Sequence, residues 1–520
     1  MQQAARFLLQ AQFSASDAEI ASVRSTGYGP WLRLQMDATS QSSWEWLNNQ
    51  GFGNQANINN FFDQSYPFDY AIWNQLIASR DAVRKRCALA LSEFFVVSAT
   101  GVEMDWRAHG MAAWWDMLCG HAFGNFRTLL QDVCVNPAMG VYLNARGSRK
   151  EDASGRLPDE NFAREILQLM SIGLVQLNLD GTPKLDGLGN KIDTYTQTEI
   201  SELARVFTGY DHDRSLGYIT VNGRTVIHID SARLPMPCNT STHSTLSATF
   251  LGTTVPGGAT PATALSMTVD AIFRHPNVGP FLGKQMIQRL VTSNPSPAYV
   301  ARVAGAFNNN GAGVRGDLKA VFSAILLDEE ARSATGLTQP TFGKVREPMI
   351  RFVQWARTFG VTSASGGWRL PATTETATSL GQSPLRSPSV FNFFRPGYVP
   401  PSTALTASKS PAPEMQIVNE TTVTGYVNYM HGVIRTGLNS GDIKASYAAE
   451  LALVADAAAL VARLNLLLCA DQLSAGTVSV IVGALNATPV TTASTETAKL
   501  DRVAAAVLMV MSCPEYLVQK

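Results

Sequence analysis

The sequence predicts a mainly α fold, one large multi-helix globular unit carrying a small β-rich insertion. Three observations lead there. Apolar residues recur at helical spacing along most of the 520 residues. Turn signals between short β-branched runs are confined to residues 175–260. No internal repeat or linker divides the chain, although its length alone would allow several domains.

Met1-Gln-Gln-Ala-Ala-Arg-Phe-Leu8 reads as the start of a folded helix, because no apolar stretch follows a charged segment as in a signal peptide. Ser16-Asp-Ala-Glu19 is a capping box, and Gly27 stops the helix it opens. Tyr70 to Val97 and Trp106 to Cys134 are long apolar-periodic runs, the second ending at Asn136-Pro137. In the next helix Pro158 suits the first turn and Gly173 the end. At about 100° per residue, Phe162, Ile166, Leu169 and Met170 share one face, while Glu160, Asn161, Arg164, Glu165 and Gln168 gather on the other. Within 175–260, Tyr218-Ile-Thr-Val221 and Thr225-Val-Ile-His-Ile229 flank Asn222-Gly223, a hairpin signal. Helical spacing returns at 197–207, 278–291, 299–307, 318–327 and 347–357. A long loop rich in Pro, Ser, Thr and aromatics occupies 361–422, and helices over 447–469, 478–486 and 497–512 close the chain.

Composition excludes several classes. Lys plus Arg and Asp plus Glu number 41 each, so no global field favours nucleic acid, and Arg84-Lys-Arg86 reads as a solvated helix face. The best membrane candidate, Leu451 to Cys469, is interrupted by Asp456, Arg463 and Asn465, so no membrane span is expected. Six cysteines without a Cys-x-x-Cys pack as small apolar residues, with one or two bridges open if the protein is exported. The seven histidines form no zinc or di-iron spacing, and Asp211-His212-Asp213 reads as a surface turn. Residues 180–190 resemble a calcium loop only loosely, lacking the closing Glu, so no metal is expected. Gly311-Ala-Gly-Val-Arg-Gly316 follows a helical run rather than a strand and reads as a helix-to-helix turn. With no phosphate-binding loop either, no cofactor is expected.

Two segments carry candidate chemistry. Only 16% of residues are charged, yet Asp159, Glu160, Arg164 and Glu165 fall together. Glu160 and Glu165 lie about 140° apart around a helix, so both can border one polar face. Arg164 between them would hold one ionised and leave the other protonated, giving Glu165 as base or nucleophile and Glu160 as acid. The competing reading is a surface pair between Glu160 and Arg164. The second segment runs from Gly381 to Tyr398 and sets aromatic faces beside Arg, Asn and Gln. It suits a hydroxylated or anionic ligand, with Arg386, Asn392, Arg395 and Phe393 as binding residues. Its competing reading is that Val390, Phe391, Phe393 and Phe394 plug the core. Because buried charges must be paired, at least one of Arg205, Lys344, Arg346 or Arg386 is expected to contact Glu160 or Glu165.

Several segments together resemble a bacterial family, the domain of unknown function numbered 1800. They include Phe7-Leu-Leu-Gln-Ala-Gln-Phe13, Leu91-Ser-Glu-Phe-Phe-Val-Val-Ser98, His121-Ala-Phe-Gly-Asn-Phe-Arg127 and Pro158-Asp-Glu-Asn-Phe-Ala-Arg-Glu-Ile-Leu-Gln-Leu169. Ala204-Arg-Val-Phe-Thr-Gly209, His275-Pro-Asn-Val-Gly-Pro-Phe281, Arg289-Leu-Val-Thr-Ser-Asn-Pro-Ser-Pro297, Gly343-Lys-Val-Arg-Glu-Pro348 and Ser387-Pro-Ser-Val-Phe-Asn-Phe-Phe394 follow in the family's order. The resemblance implies a single unit over residues 1–520 and export to the periplasm or medium, with a signal peptide that is absent here. It also implies the company of an exported sulfatase-like companion protein, and it supplies no catalytic residues. The resulting expectation is an exported enzyme that cleaves an extracellular polysaccharide by acid/base chemistry. The alternative is a non-enzymatic binding or assembly protein that works with a surface polymer or with that companion.

Overall fold

Polar breaks between apolar runs decide where each helix stops. The structure, a computed structural model, describes residues 1–55 and 61–520. Among these, helices make the frame and every sheet has two strands, so the fold is mainly α as expected. The capping box at Ser16 forms, with Glu19 reaching back to the Ser16 N–H at 2.9 Å, and the helix Asp17–Thr26 ends at Gly27.

Three expected helices are instead pairs. Tyr70 to Val97 divides into Tyr66–Ala78 and α1, Ala82–Ser92. At the Ser79-Arg80-Asp81 break, Arg357 Nη1 donates to the carbonyls of Leu76, Ile77 and Ser79 at 3.1, 2.8 and 3.1 Å. A cation at these orphaned carbonyls stabilises the break. Trp106 to Cys134 divides at Gly124-Asn125 into Arg107–His121 and Phe126–Val135, with Asn125 capping the second. Tyr447 to Cys469 divides before Asp456, which caps Ala457–Cys469. The helix expected over 156–173 is shorter. It is α2, Asn161–Gln168, and residues 169–173 fold back by donating to the Glu165 and Leu167 carbonyls.

Two long helices lie outside the expected set, Pro261–Arg274 and Glu420–Thr436. The second is rich in Thr, Val and Gly, poor helix formers. It is held by packing, since a Cβ on Gly425 would lie 2.2 Å from the Thr376 carbonyl oxygen. The hairpin at Asn222-Gly223 forms in the expected register, Val221 opposite Arg224, with φ of 46° and 76° at the turn. Short pairs join Ala248–Phe250 to Thr253–Val255, Lys344–Val345 to Val518–Gln519, and Thr362–Ser363 to Ile443–Lys444. In the loop at 180–190 the carboxylates close their own turns, Asp180 accepting from Thr182 and Asp186 from the N–H groups of Leu188 and Asn190. Residues 311–316 connect the helices Pro297–Asn308 and Leu318–Leu327.

A continuous apolar core runs from Ala4 to Tyr516 and encloses Trp73, Trp106, Trp114, Trp115 and Trp355. All six cysteines are free thiols, so the bridges left open by the sequence are not made. No helix of the described residues is long and apolar enough to cross a membrane.

Candidate functional site

Helix ends, rather than helix faces, gather the charge. Arg84, Lys85 and Arg86 on α1 are not a solvated face, because the core surrounds this helix. Lys85 and Arg86 are buried. Consecutive residues point about 100° apart, so each cation reaches a different set of acceptors. Arg84 donates to the carbonyls of Met36, Ala38 and Cys119, Lys85 to that of Gln41, and Arg86 to that of Arg289 at 2.7 Å. Glu93 caps the C-terminus of α1.

Arg289 sits in the last turn of α3, Val278–Leu290. Its carbonyl accepts from Arg86 and also from Lys344 Nζ at 2.8 Å, two cations at the negative end of a helix. Its guanidinium donates to the Glu93 carbonyl at 2.8 Å, with Nε 3.4 Å from the Glu93 carboxyl. Glu347 is the N-cap of α4, Pro348–Thr358, where the helix dipole favours an anion. Gln382 secures this end, accepting from the Met349 N–H at 3.3 Å and donating to Glu347 at 2.7 Å. Lys344 completes the cluster, 3.5 Å from Glu347 and 3.0 Å from Glu414.

Arg86, Glu93, Arg289, Lys344, Glu347 and Glu414 are each at most 6% exposed. Burial pushes the Glu93 carboxyl well above its ordinary 4.5, and the neighbouring Glu347 charge pushes it further. Burial also opposes ionisation of Glu347. Lys344, Arg86, Gln382 and a hydrogen bond from Glu93 outweigh that and hold it below its ordinary value. Glu93 therefore keeps the proton that the pair shares.

Above this cluster lies a cavity of about 810 Å³, inside the roughly 300–1,000 Å³ range of small-ligand sites. Glu93 and Arg289 form its floor. Its walls are largely apolar and include Phe94, Phe281, Phe391 and Tyr398. One wall is the segment leaving α2, where Gly173 has φ +72° and lies so close to Phe281 that a Cβ would meet the ring at 2.5 Å. The opposing wall is the Pro-rich loop. Arg395 stacks over the Phe391 ring at 4.6 Å, its N–H donates to Gln416 at 2.9 Å, and the Pro396 carbonyl accepts from Gln288 of α3 at 3.2 Å.

The expected residues are distributed differently. Glu160 lies outside the cavity, where Ser201, Gln197 and Arg164 donate to its carboxylate and hold it below the usual range. Glu165 is buried, which raises its carboxyl, and it too is absent from the cavity wall. The two carboxyls thus part in directions opposite to the expected roles, Glu160 held ionised and Glu165 raised, and at the cavity α2 contributes Gln168 and Leu169 instead. None of the four expected cations pairs with either carboxylate. Arg205 lies beside Glu202, Lys344 pairs with Glu347 and Glu414, Arg346 donates to the carbonyls of Leu468 and Tyr516, and Arg386 grips Asp69 at 2.8 and 2.7 Å. Lys344 and Arg346 are buried among other elements, whereas Arg205 lies on the helix Gln197–Val206 that packs against α2 and turns instead to Glu202 and the Ser247 carbonyl.

Of the loop residues, Arg395 lines the cavity. Arg386 instead ties the loop to the helix Tyr66–Ala78 through Asp69, Asn392 is buried at φ +62°, and Phe393 stands outside the lining. Phe394 is buried, whereas Phe391 faces the cavity. Glu93, Arg289, Gln285 and Gln416 had no assigned role. The signal for Glu93 is a lone carboxyl inside the apolar run Leu91-Ser-Glu-Phe-Phe-Val-Val, where burial removes water and a partner is required.

Fold and site together define a helical protein with an aromatic-walled cavity set over a buried charge cluster. The model of the family described as "Protein of unknown function (DUF1800)" matches residues 6–518, and the chain belongs to that family. No curated protein and no solved structure matches the chain.

Proposed function

We propose that the chain is an exported protein that binds a ring-bearing segment of an extracellular polysaccharide in the 810 Å³ cavity. The observation that carries this reading is the pairing of flat aromatic walls, Phe391 and Tyr398, with polar groups at Gln168, Gln285, Arg395 and Gln416. Sugar rings offer an apolar face for stacking and hydroxyls for hydrogen bonds, and such a wall answers both. The family resemblance supports export and the company of an exported sulfatase-like protein. Calorimetric titration with a panel of extracellular oligosaccharides tests the binding. The wild type should bind at least one of them, and Phe391→Ala should weaken it about tenfold or more. A wild type that binds none, or a Phe391→Ala protein that binds as tightly, would overturn the reading.

Glu93 raises a second reading, turnover by general-acid catalysis, but both of its carboxyl oxygens are closed off from the cavity and its proton faces Glu347. Glycoside hydrolysis ordinarily sets two carboxylates about 5–9.5 Å apart across the bond. Here Glu347 stands beside Glu93, and Glu93 is the one acidic residue of the lining. Binding is therefore the better-supported role. Turnover that disappears in Glu93→Gln while binding persists would reverse that order.

A further inference from the structure

Each glutamine on the cavity wall has its oxygen engaged and its amide nitrogen left over. Gln285 Oε1 faces Arg289 Nη1 at 3.3 Å, and because a guanidinium can only donate, the atom facing it must be the oxygen. Gln416 Oε1 accepts the Arg395 backbone N–H at 2.9 Å, which fixes its orientation in the same way. Gln168 Oε1 accepts from the Tyr195 hydroxyl at 3.3 Å. Among the described residues, none of these three amide nitrogens has a partner. Gln285 is itself only 8% exposed. Arg395 has no carboxylate partner among the described residues, and its contact is the ring of Phe391. Of the side-chain acceptors on the wall, both Glu93 carboxyl oxygens are closed off and each glutamine oxygen already accepts one of the two hydrogen bonds it can, which leaves the Tyr398 hydroxyl uncommitted.

A wall with many donors and few acceptors is mismatched to a neutral polyol, whose hydroxyls must donate as well as accept. It matches a group that only accepts. We infer that the cavity selects a ligand bearing an anionic substituent, a ring carboxylate or sulfate, held by Arg395 and the amide N–H groups of Gln168, Gln285 and Gln416. This rests on the reading of the cavity as the ligand site. Charge supports it. Arg289 lies in the floor, and the acid beside it keeps its proton, so no fixed anion on the wall competes with the ligand. Hydrogen bonds to a charged acceptor are also the stronger kind, which suits an open cavity of this size.

The experiment titrates the full chain with four probes: a neutral hexasaccharide, a uronic-acid hexasaccharide, a sulfated hexasaccharide, and cyclohexanecarboxylate as an anionic ring that is not a sugar. At least one charged hexasaccharide should bind about tenfold or more tighter than the neutral one, and which of the two does so identifies the anion. Gln416→Glu, at an exposed position, should weaken the charged ligand about tenfold more than it weakens the neutral one. Equal or tighter binding of the neutral sugar, or indifference to Gln416→Glu, overturns the inference and leaves polysaccharide binding standing. Binding of cyclohexanecarboxylate with no sugar bound upholds the inference and removes the polysaccharide reading. No binding of any probe overturns both.

Discussion

Glu93 and Glu347 are the same side chain in the same buried cluster, yet they stand in opposite protonation states. Their neighbours make the difference. Glu347 has Lys344, Gln382 and a helix N-terminus, whereas Glu93 has Arg289 at 3.4 Å and the charge of Glu347 itself. Glu93→Gln replaces a neutral donor with a neutral donor, so below its ordinary 4.5 it should change stability by less than about 1 kcal/mol in denaturant unfolding, and at neutral pH, where only the unfolded Glu93 ionises, it should stabilise the fold. Glu347→Gln leaves Lys344 short of a buried counter-charge and should cost about 3 kcal/mol or more. The pH dependence has a definite sign. Glu93 is raised in the folded state, so folding is unpenalised below its ordinary 4.5 and loses stability as pH rises from there through the folded value. Glu347 is lowered, so its contribution is present above 4.5 and is lost as pH falls through its folded value. Thermal melts across pH should show the wild type losing stability on the alkaline side and Glu93→Gln flattening that limb. A mutant with the wild-type slope would show that Glu93 does not carry the proton. At this scale the sequence revealed which residue types mattered more than where they met. The cavity residue Arg395 was legible because its loop sets aromatics beside charge. Glu93 was not, because a carboxyl in an apolar run acquires meaning only when residues 289, 344 and 347 arrive beside it.

At the scale of elements, the cavity depends on how α2 ends. The chain leaves the helix through Gly173 at φ +72° and passes directly against Phe281 of α3. Gly173→Ala therefore meets both a strained backbone and a ring where its methyl must go, and should cost about 2–4 kcal/mol. The wall moves with it, so ligand affinity should fall even where the protein remains folded, and a variant that binds normally would show this wall is not part of the site. Helix existence was largely legible, since apolar periodicity marked most of the frame, but helix length was not. Ser79-Arg80-Asp81 breaks a run that reads as continuous because Arg357, far along the chain, supplies the donor for the exposed carbonyls. Glu420–Thr436 is the reverse case. Its Thr, Val and Gly content argues against helix, and close packing of Gly425 on residues 376–377 overrides it.

The whole molecule is stitched by contacts between distant parts of the chain. Arg386 holds Asp69 across 317 residues, Trp73 donates to Pro371 across 298, and Arg6 donates to Lys520 across 514. Residues 1–340 expressed alone should thus lack cooperative unfolding and bind exposed-surface dyes, because Glu93 and Arg86 would be buried without Lys344 and Glu347. A compact, cooperatively melting fragment would contradict this. The six free thiols make a further expectation, that reductant leaves the melting temperature unmoved, whereas loss of a native bridge would cost about 2–5 kcal/mol. The union of Arg86 with the Arg289 carbonyl also has a consequence in time. The two are 203 residues apart, and at about 5–20 residues per second a ribosome needs roughly 10–40 s to travel between them. Throughout that interval Arg86 and Glu93 are better off in water than in any partial core. The nascent chain is thereby kept pliable by its own charges, and it closes only after the later segments have been translated.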